Sequence, residues 1–220
     1  MKKHIKFIIL VLATFCSHLL FAGPPKSIKN AFRCFENKDT KISERINIEG
    51  FYGGHFFYEN GLYARSSIIW SDPEQDINDR VNYDHVLALQ KAMDNRTKNE
   101  LRDFYRWEAW GNYKIEGDII KTQSMENTAP LSAFNGAFET WFRIIDRNTI
   151  SYLGRIRIGE DEAEKQKLEE EMSKSKGERT IIFTPTPIPP YQKAWILKEK
   201  WFWCNKNDRK IFMEKIKNEK

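Results

Sequence analysis

The sequence predicts a mainly β fold: an eight-stranded antiparallel up-and-down barrel with a helical insertion and a C-terminal helix. Three observations predict it. Runs rich in aromatic and β-branched residues recur along the chain, alternating with polar residues at a period of two. Turn signals separate neighbouring runs at Asn60-Gly61, at Glu116 to Asp118 and around Arg147-Asn148. The runs number eight in series, and closing them on themselves removes the unpaired edges that an open sheet would expose.

Strand one is expected over 46–58, where the face carrying Ile46, Ile48 and Tyr52 must change phase before Phe57, and Gly53-Gly54 marks the place for a bulge. Asn60-Gly61 suits a type I′ turn into strand two, 62–70. Strand three, 104–116, sets Tyr105, Trp107, Ala109, Tyr113 and Ile115 on one face and Arg106, Glu108, Asn112 and Lys114 on the other. Strand four covers 118–124. Strand five, 138–146, points Phe138, Thr140, Phe142 and Ile144 inward and leaves Trp141 and Ile145 outside. Matching Ile150, Tyr152 and Ile156 of strand six, 149–157, requires a three-residue loop with Asn148 left-handed. Strands seven and eight follow at 180–184 and 194–203.

Between the strands, "DHVLALQKAMDN" has helical spacing and places a lid or packing helix in the 71–103 connection. "GEDEAEKQKLEEEMSKSKGE" is polar nearly all round and reads as a solvated helix, with Asp161/Lys165 and Glu170/Lys174 four residues apart. "TPTPIPP" at 184–190 is a stiff spacer. Ile211, Phe212 and Ile216 would dock a terminal helix over 205–220 on the barrel wall, and its basic residues offer contact with a membrane surface as the competing role.

The opening residues bear on location. A basic start, an apolar run "FIILVLATFCSHLLF" and the small residue Ala22 form the pattern of a cleaved signal peptide over 1–22, implying a periplasmic or secreted protein. Without that segment the chain holds 33 Lys and Arg against 31 Asp and Glu, so it lacks the charge of a nucleic-acid binder. The rest divides into an N-terminal arm (23–45), the barrel (46–204) and the terminal helix. Cys34 precedes strand one and Cys204 ends strand eight, so the two could form a disulfide, with two free thiols as the alternative.

"IEGFYGG", "FYENGL", "WGNYKIEGDIIKTQ" and "IIDRNTI" together resemble the lipocalin-like, calycin-type barrels of secreted bacterial proteins, with Gly50-Phe51-Tyr52 standing where lipocalins carry Gly-x-Trp. That resemblance implies a calyx for a small apolar or amphipathic ligand. The inward candidates to line it are Tyr52, Phe57, Trp107, Tyr113, Phe142, Tyr152, Trp195 and Trp201, together with Glu199, a carboxylate on the otherwise apolar face of strand eight. A barrel filled by its own side chains, serving as a structural or protein-interaction module of the cell envelope, is the other reading. Beyond the signal region only His55 and His85 remain, with no metal-ligand spacing, no nucleophile beside a base and no phosphate loop at Gly53-Gly54. The reading therefore leans away from an enzyme and assigns no cofactor, no metal and no catalytic residue.

Overall fold

Alternation at period two folds here as pleated strand, and the strands close. A computed structural model describes residues 24–66, 105, 108–125, 136–159, 161–175, 177, 179–186 and 188–218. Its strands are β1 (Gly50–Tyr52), β2 (His55–Phe57), β3 (Leu62–Arg65), β4 (Ala109–Glu116), β5 (Ile119–Met125), β6 (Ala137–Asp146), β7 (Thr149–Arg157) and β8 (Arg179–Pro185). Each pairs antiparallel with the next, and β8 returns to β1 through Gly50↔Pro185, Phe51↔Thr184 and Tyr52↔Phe183. The result is a closed eight-stranded barrel.

The count matches the expectation, but two of its members differ. The segment expected as strand one splits at Gly53-Gly54 into a hairpin, Tyr52 pairing with His55 across two residues that both take positive φ, +52° and +86°. Glycine meets that demand without steric cost, so a turn replaces the expected bulge. The extra strand makes the expected eighth strand unnecessary. Residues 194–203 instead form short 3₁₀ turns, Trp195–Lys198 and Lys200–Phe202, lying against the outside of the barrel. Apolar residues stand at adjacent positions there, Ile196 beside Leu197 and Phe202 beside Trp203, and all four are buried. A wrapping turn buries neighbours together, whereas a strand would divide them between two faces.

Two further turns depart from expectation. At 58–61 only Gly61 is left-handed, and its N–H donates to the Tyr58 carbonyl, giving a tight turn with a glycine bulge rather than type I′. Asn148 keeps a negative φ, while Asp146 accepts a hydrogen bond from the Asn148 N–H at 2.7 Å. The phase between β6 and β7 is corrected by an irregularity between Ile144 and Asp146, which leaves Ile145 outside the register.

Three helices accompany the strands among the described residues: α1 (Lys26–Ala31), α2 (Glu162–Lys174) and α3 (Lys206–Asn218). Asp161 caps α2 by accepting from the Ala163 N–H. This helix is not wholly solvated as expected. Leu168 and Met172 cover Trp141, Leu153 and Ile156 on the outer wall, so Trp141 lies outside the barrel as expected but is buried there. In α3, Phe212 packs on Trp203 with ring centroids 5.3 Å apart, while Ile211 stays 65% exposed. The expected helix at 71–103, the end of strand two beyond Ser66 and the signal segment 1–22 lie outside the described residues.

Apolar residues thus form two main cores separated by the sheet. Tyr52, Phe57, Tyr63, Tyr113, Ile120, Phe142, Ile150 and Ile181 fill the lumen, with Ile42 and Ile46 packed against them. On the other side, Phe51, Phe56, Leu62, Ala64 and Trp110 face outward beneath the N-terminal arm and the Trp-rich segment. Phe35 and Trp203 form a parallel bridge there, and the disulfide Cys34–Cys204 fixes it. Arg33 anchors the arm to the wall. Its guanidinium donates to the Lys121 carbonyl and to Glu139, each at 3.1 Å, and its N–H donates to Gln123 at 2.6 Å.

Candidate functional site: an arginine-lined cavity in the barrel

The lumen has two unlike halves. Toward the β6–β7 turn it is packed with rings: Tyr52 lies 5.3 Å from Phe183 and 6.1 Å from Phe57, and its hydroxyl donates to the Arg147 carbonyl at 2.8 Å. Toward the opposite end, where β3 ends and β4 begins, a cavity of about 240 Å³ opens among His55, Arg65, Thr140, Tyr152, Arg155, Arg179 and Ile181. Three arginines are among its lining, and among the described residues no Asp or Glu is.

Strand alternation and one bulge account for those arginines. Arg65 shares the inward face of Tyr63 on β3, and Arg179 shares that of Ile181 on β8. On β7, Tyr152 pairs with Phe142 and Gly154 with Trp141, so Leu153 is the extra residue of a bulge. Beyond it the phase inverts. Ile156, expected inward, joins Trp141 and Leu153 on the outer wall, and Arg155 turns in opposite Thr140. The Arg155 guanidinium also sits 3.3 Å from the centroid of the Phe138 ring, a cation–π contact.

His55 forms part of the floor. Its Nδ1 meets the Tyr63 hydroxyl, and its ring stands edge-on to Phe142 at 4.8 Å. Burial holds the imidazole well below its ordinary pKa, and the charges of Arg65, Arg179 and Arg155 press in the same direction. Burial also raises the Tyr63 phenol, against the opposing pull of Arg65 and Arg155. The floor is therefore uncharged at neutral pH and the charge lies above it. His55, Arg65, Tyr152, Arg155 and Arg179 each engage further groups, so the lining is a braced set of side chains.

The sequence-predicted lining residues distribute unevenly. Tyr52, Phe57, Tyr113 and Phe142 face the lumen as packed core; the Tyr113 hydroxyl donates to the Tyr58 carbonyl at 2.8 Å. Of the described members of the set, Tyr152 lines the cavity. Trp195, Glu199 and Trp201 are corrected to the outside of the barrel, because their segment is not a strand. There Glu199 accepts a hydrogen bond from the Trp201 indole at 3.0 Å, which accounts for a carboxylate among tryptophans. Trp107 lies outside the described residues.

Arg65, Arg155 and Arg179 were not among the predicted residues. The Tyr63–Arg65 spacing carried the signal for the first. Arg179 lies one residue before the expected start of its strand, and Arg155 depends on a bulge that alternation alone does not reveal. Among the described residues no group of three or more His, Cys, Asp or Glu is placed to hold a metal ion, and no helix is long and apolar enough to cross a membrane. The chain matches no family model, no curated protein and no solved structure. The class that fold and geometry define is a closed antiparallel barrel with an arginine-lined cavity toward one end.

Proposed function

We propose that the protein is an exported, lipocalin-like carrier that holds one small molecule at one end of its barrel. The supporting observation is the cavity of about 240 Å³ bounded by polar side chains and floored by packed rings. An eight-stranded barrel is just wide enough either to fill itself or to keep one small ligand, and among the described residues packed rings fill one half of this lumen while the other half holds the cavity. Convergent polar groups beside an apolar floor are the usual makings of a small-molecule site. In this reading residues 1–22 direct export and are removed, and the disulfide belongs to a protein that works in an oxidising compartment.

Native mass spectrometry on protein isolated undenatured from its source tests the reading. The expected spectrum shows a chain beginning at Gly23 with an added small mass that is lost on denaturation. A second protein chain in place of that mass would support an envelope interaction module instead. Neither a bound mass nor any uptake of added small molecules would remove the carrier reading.

A further inference from the structure

We infer that the outward face of α3, with the Trp-rich segment beside it, docks on an anionic lipid bilayer surface, its lysines meeting the headgroups and Ile211 entering the apolar boundary beneath them.

Charge is segregated along the chain. Residues 188–218 carry eight Lys and Arg against three Asp and Glu, whereas residues 23–187 carry 24 against 27. The two 13-residue helices repeat that division. In α2 five acids outnumber three lysines, and Glu162 pairs with Lys165 and Glu170 with Lys174. In α3 five cations outnumber two acids. Because α2 covers β6 and β7 while α3 lies on the Trp-rich segment, the cations gather on their own stretch of surface.

The three acids of 188–218 are engaged within the fold. Glu199 accepts from the Trp201 indole at 3.0 Å, and Glu214 stands 4.0 Å from Lys210. Asp208 occupies the first turn of α3, where the helix dipole favours an acid. Lys198, Lys200, Lys206, Lys215 and Lys217 are exposed and form no ion pair among the described residues. Their charge is free to meet an outside anion.

Wall docking and surface contact, rival roles for this helix in the sequence, use opposite faces of it. Phe212 turns in against Trp203, and Arg209 donates to the Lys198 carbonyl at 2.7 Å. The disulfide at Cys204, two residues before α3, ties the same region to the N-terminal arm. The helix is thus held in place on the folded barrel. At 3.6 residues per turn Lys206, Lys210 and Lys217 share one outward stripe, with Ile211 and Lys215 further round the exposed half. Ile211, 65% exposed, is the most exposed large apolar side chain among the described residues. An acidic polymer rewards the lysines alone. A bilayer rewards the lysines through its anionic headgroups and Ile211 at the acyl boundary.

The test is flotation of the full mature chain with vesicles of phosphatidylcholine alone and of equal parts phosphatidylcholine and phosphatidylglycerol. Binding is expected to the second only, weakening as salt rises. Lys206→Gln, Lys210→Gln and Lys217→Gln should each lower the partition coefficient about fivefold, and together about a hundredfold. Ile211→Ser should lower it about tenfold with the salt dependence unchanged. All four side chains are exposed, so circular dichroism and melting temperature should match the wild type. Replacing Lys165, Lys167 and Lys174 of α2 by Gln changes net charge equally and should leave partition nearly unmoved. Equal binding to both vesicles, binding to neither, a partition unmoved by Ile211→Ser, or an equal loss from the α2 variant would each overturn the inference. Capture by polyglutamate without vesicle binding would overturn it too, assigning the face to an acidic protein. None of these measurements depends on the cavity.

Discussion

At the scale of single residues, His55 makes the cavity floor sensitive to pH. Facing it among the described residues are the Tyr63 hydroxyl and Arg65 from β3, Phe142 from β6, Arg155 from β7 and Arg179 from β8. Burial and those three charges keep the folded-state ring neutral well below its ordinary range. An unfolded histidine takes up a proton near pH 6.5. The unfolded state therefore binds the proton that the folded state refuses, and stability falls as pH drops below about 6.5, with a limiting slope of about 1.4 kcal/mol per pH unit. Urea unfolding of the wild type and His55→Gln from pH 7.5 to 5 should show wild-type stability declining more steeply. Parallel curves would mean that the ring is not held neutral. The sequence displayed much at this scale: the lumen positions of Tyr52, Phe57, Tyr113 and Phe142 follow from alternation. Arg155 did not, since its orientation is set by a backbone irregularity two residues before it.

Elements obey a second logic, in which glycines mark where backbones meet. A Cβ on Gly111 would lie 1.7 Å from the Gln123 carbonyl oxygen and 2.9 Å from the Ser124 Cα, both backbone atoms of β5. Gly117, in the β4–β5 turn, has φ +60° and nothing within 4 Å of such a Cβ. Gly111→Ala should therefore cost well over 3 kcal/mol or abolish folding, because β4 and β5 would have to part. Gly117→Ala should cost about 1–2 kcal/mol, from the left-handed backbone alone. Denaturant midpoints rank the two, and equal losses would contradict the close approach seen at Gly111. Hairpins built on consecutive alternating runs were legible in the sequence because strand and turn lie next to each other in the chain. The segment 194–203 was not, because aromatic content reads as strand whether the rings face a lumen or wrap an outer wall. Only the hairpin at Gly53-Gly54, which completes the eight without it, decides between the two.

For the whole molecule, closure and clasp are separate devices. The barrel closes through β1 and β8, while the arm and the Trp-rich segment are joined outside it by Cys34–Cys204. The cysteines flank the whole barrel, which is why their pairing could be anticipated even though the strand thought to carry Cys204 does not form. The bond closes a loop of 170 residues, worth on the order of 5 kcal/mol in the chain-entropy account. Replacing both cysteines by serine should lower the melting temperature by about 10–20 °C while leaving the β-sheet circular dichroism unchanged. Loss of the β signature in the folded variant would show that the clasp is needed to close the sheet.

The short seam between β1 and β8 has a consequence for biogenesis. From Gly50 to Pro185 is a separation of 135 residues, which a ribosome adding about 5–20 residues per second takes on the order of ten seconds to make. Throughout that interval Phe51 and Tyr52 belong to a strand whose second neighbour does not yet exist. The newborn chain therefore carries an aromatic strand with one edge unpaired until its last strand arrives, and a chaperone guarding that edge would find its target in the first hairpin.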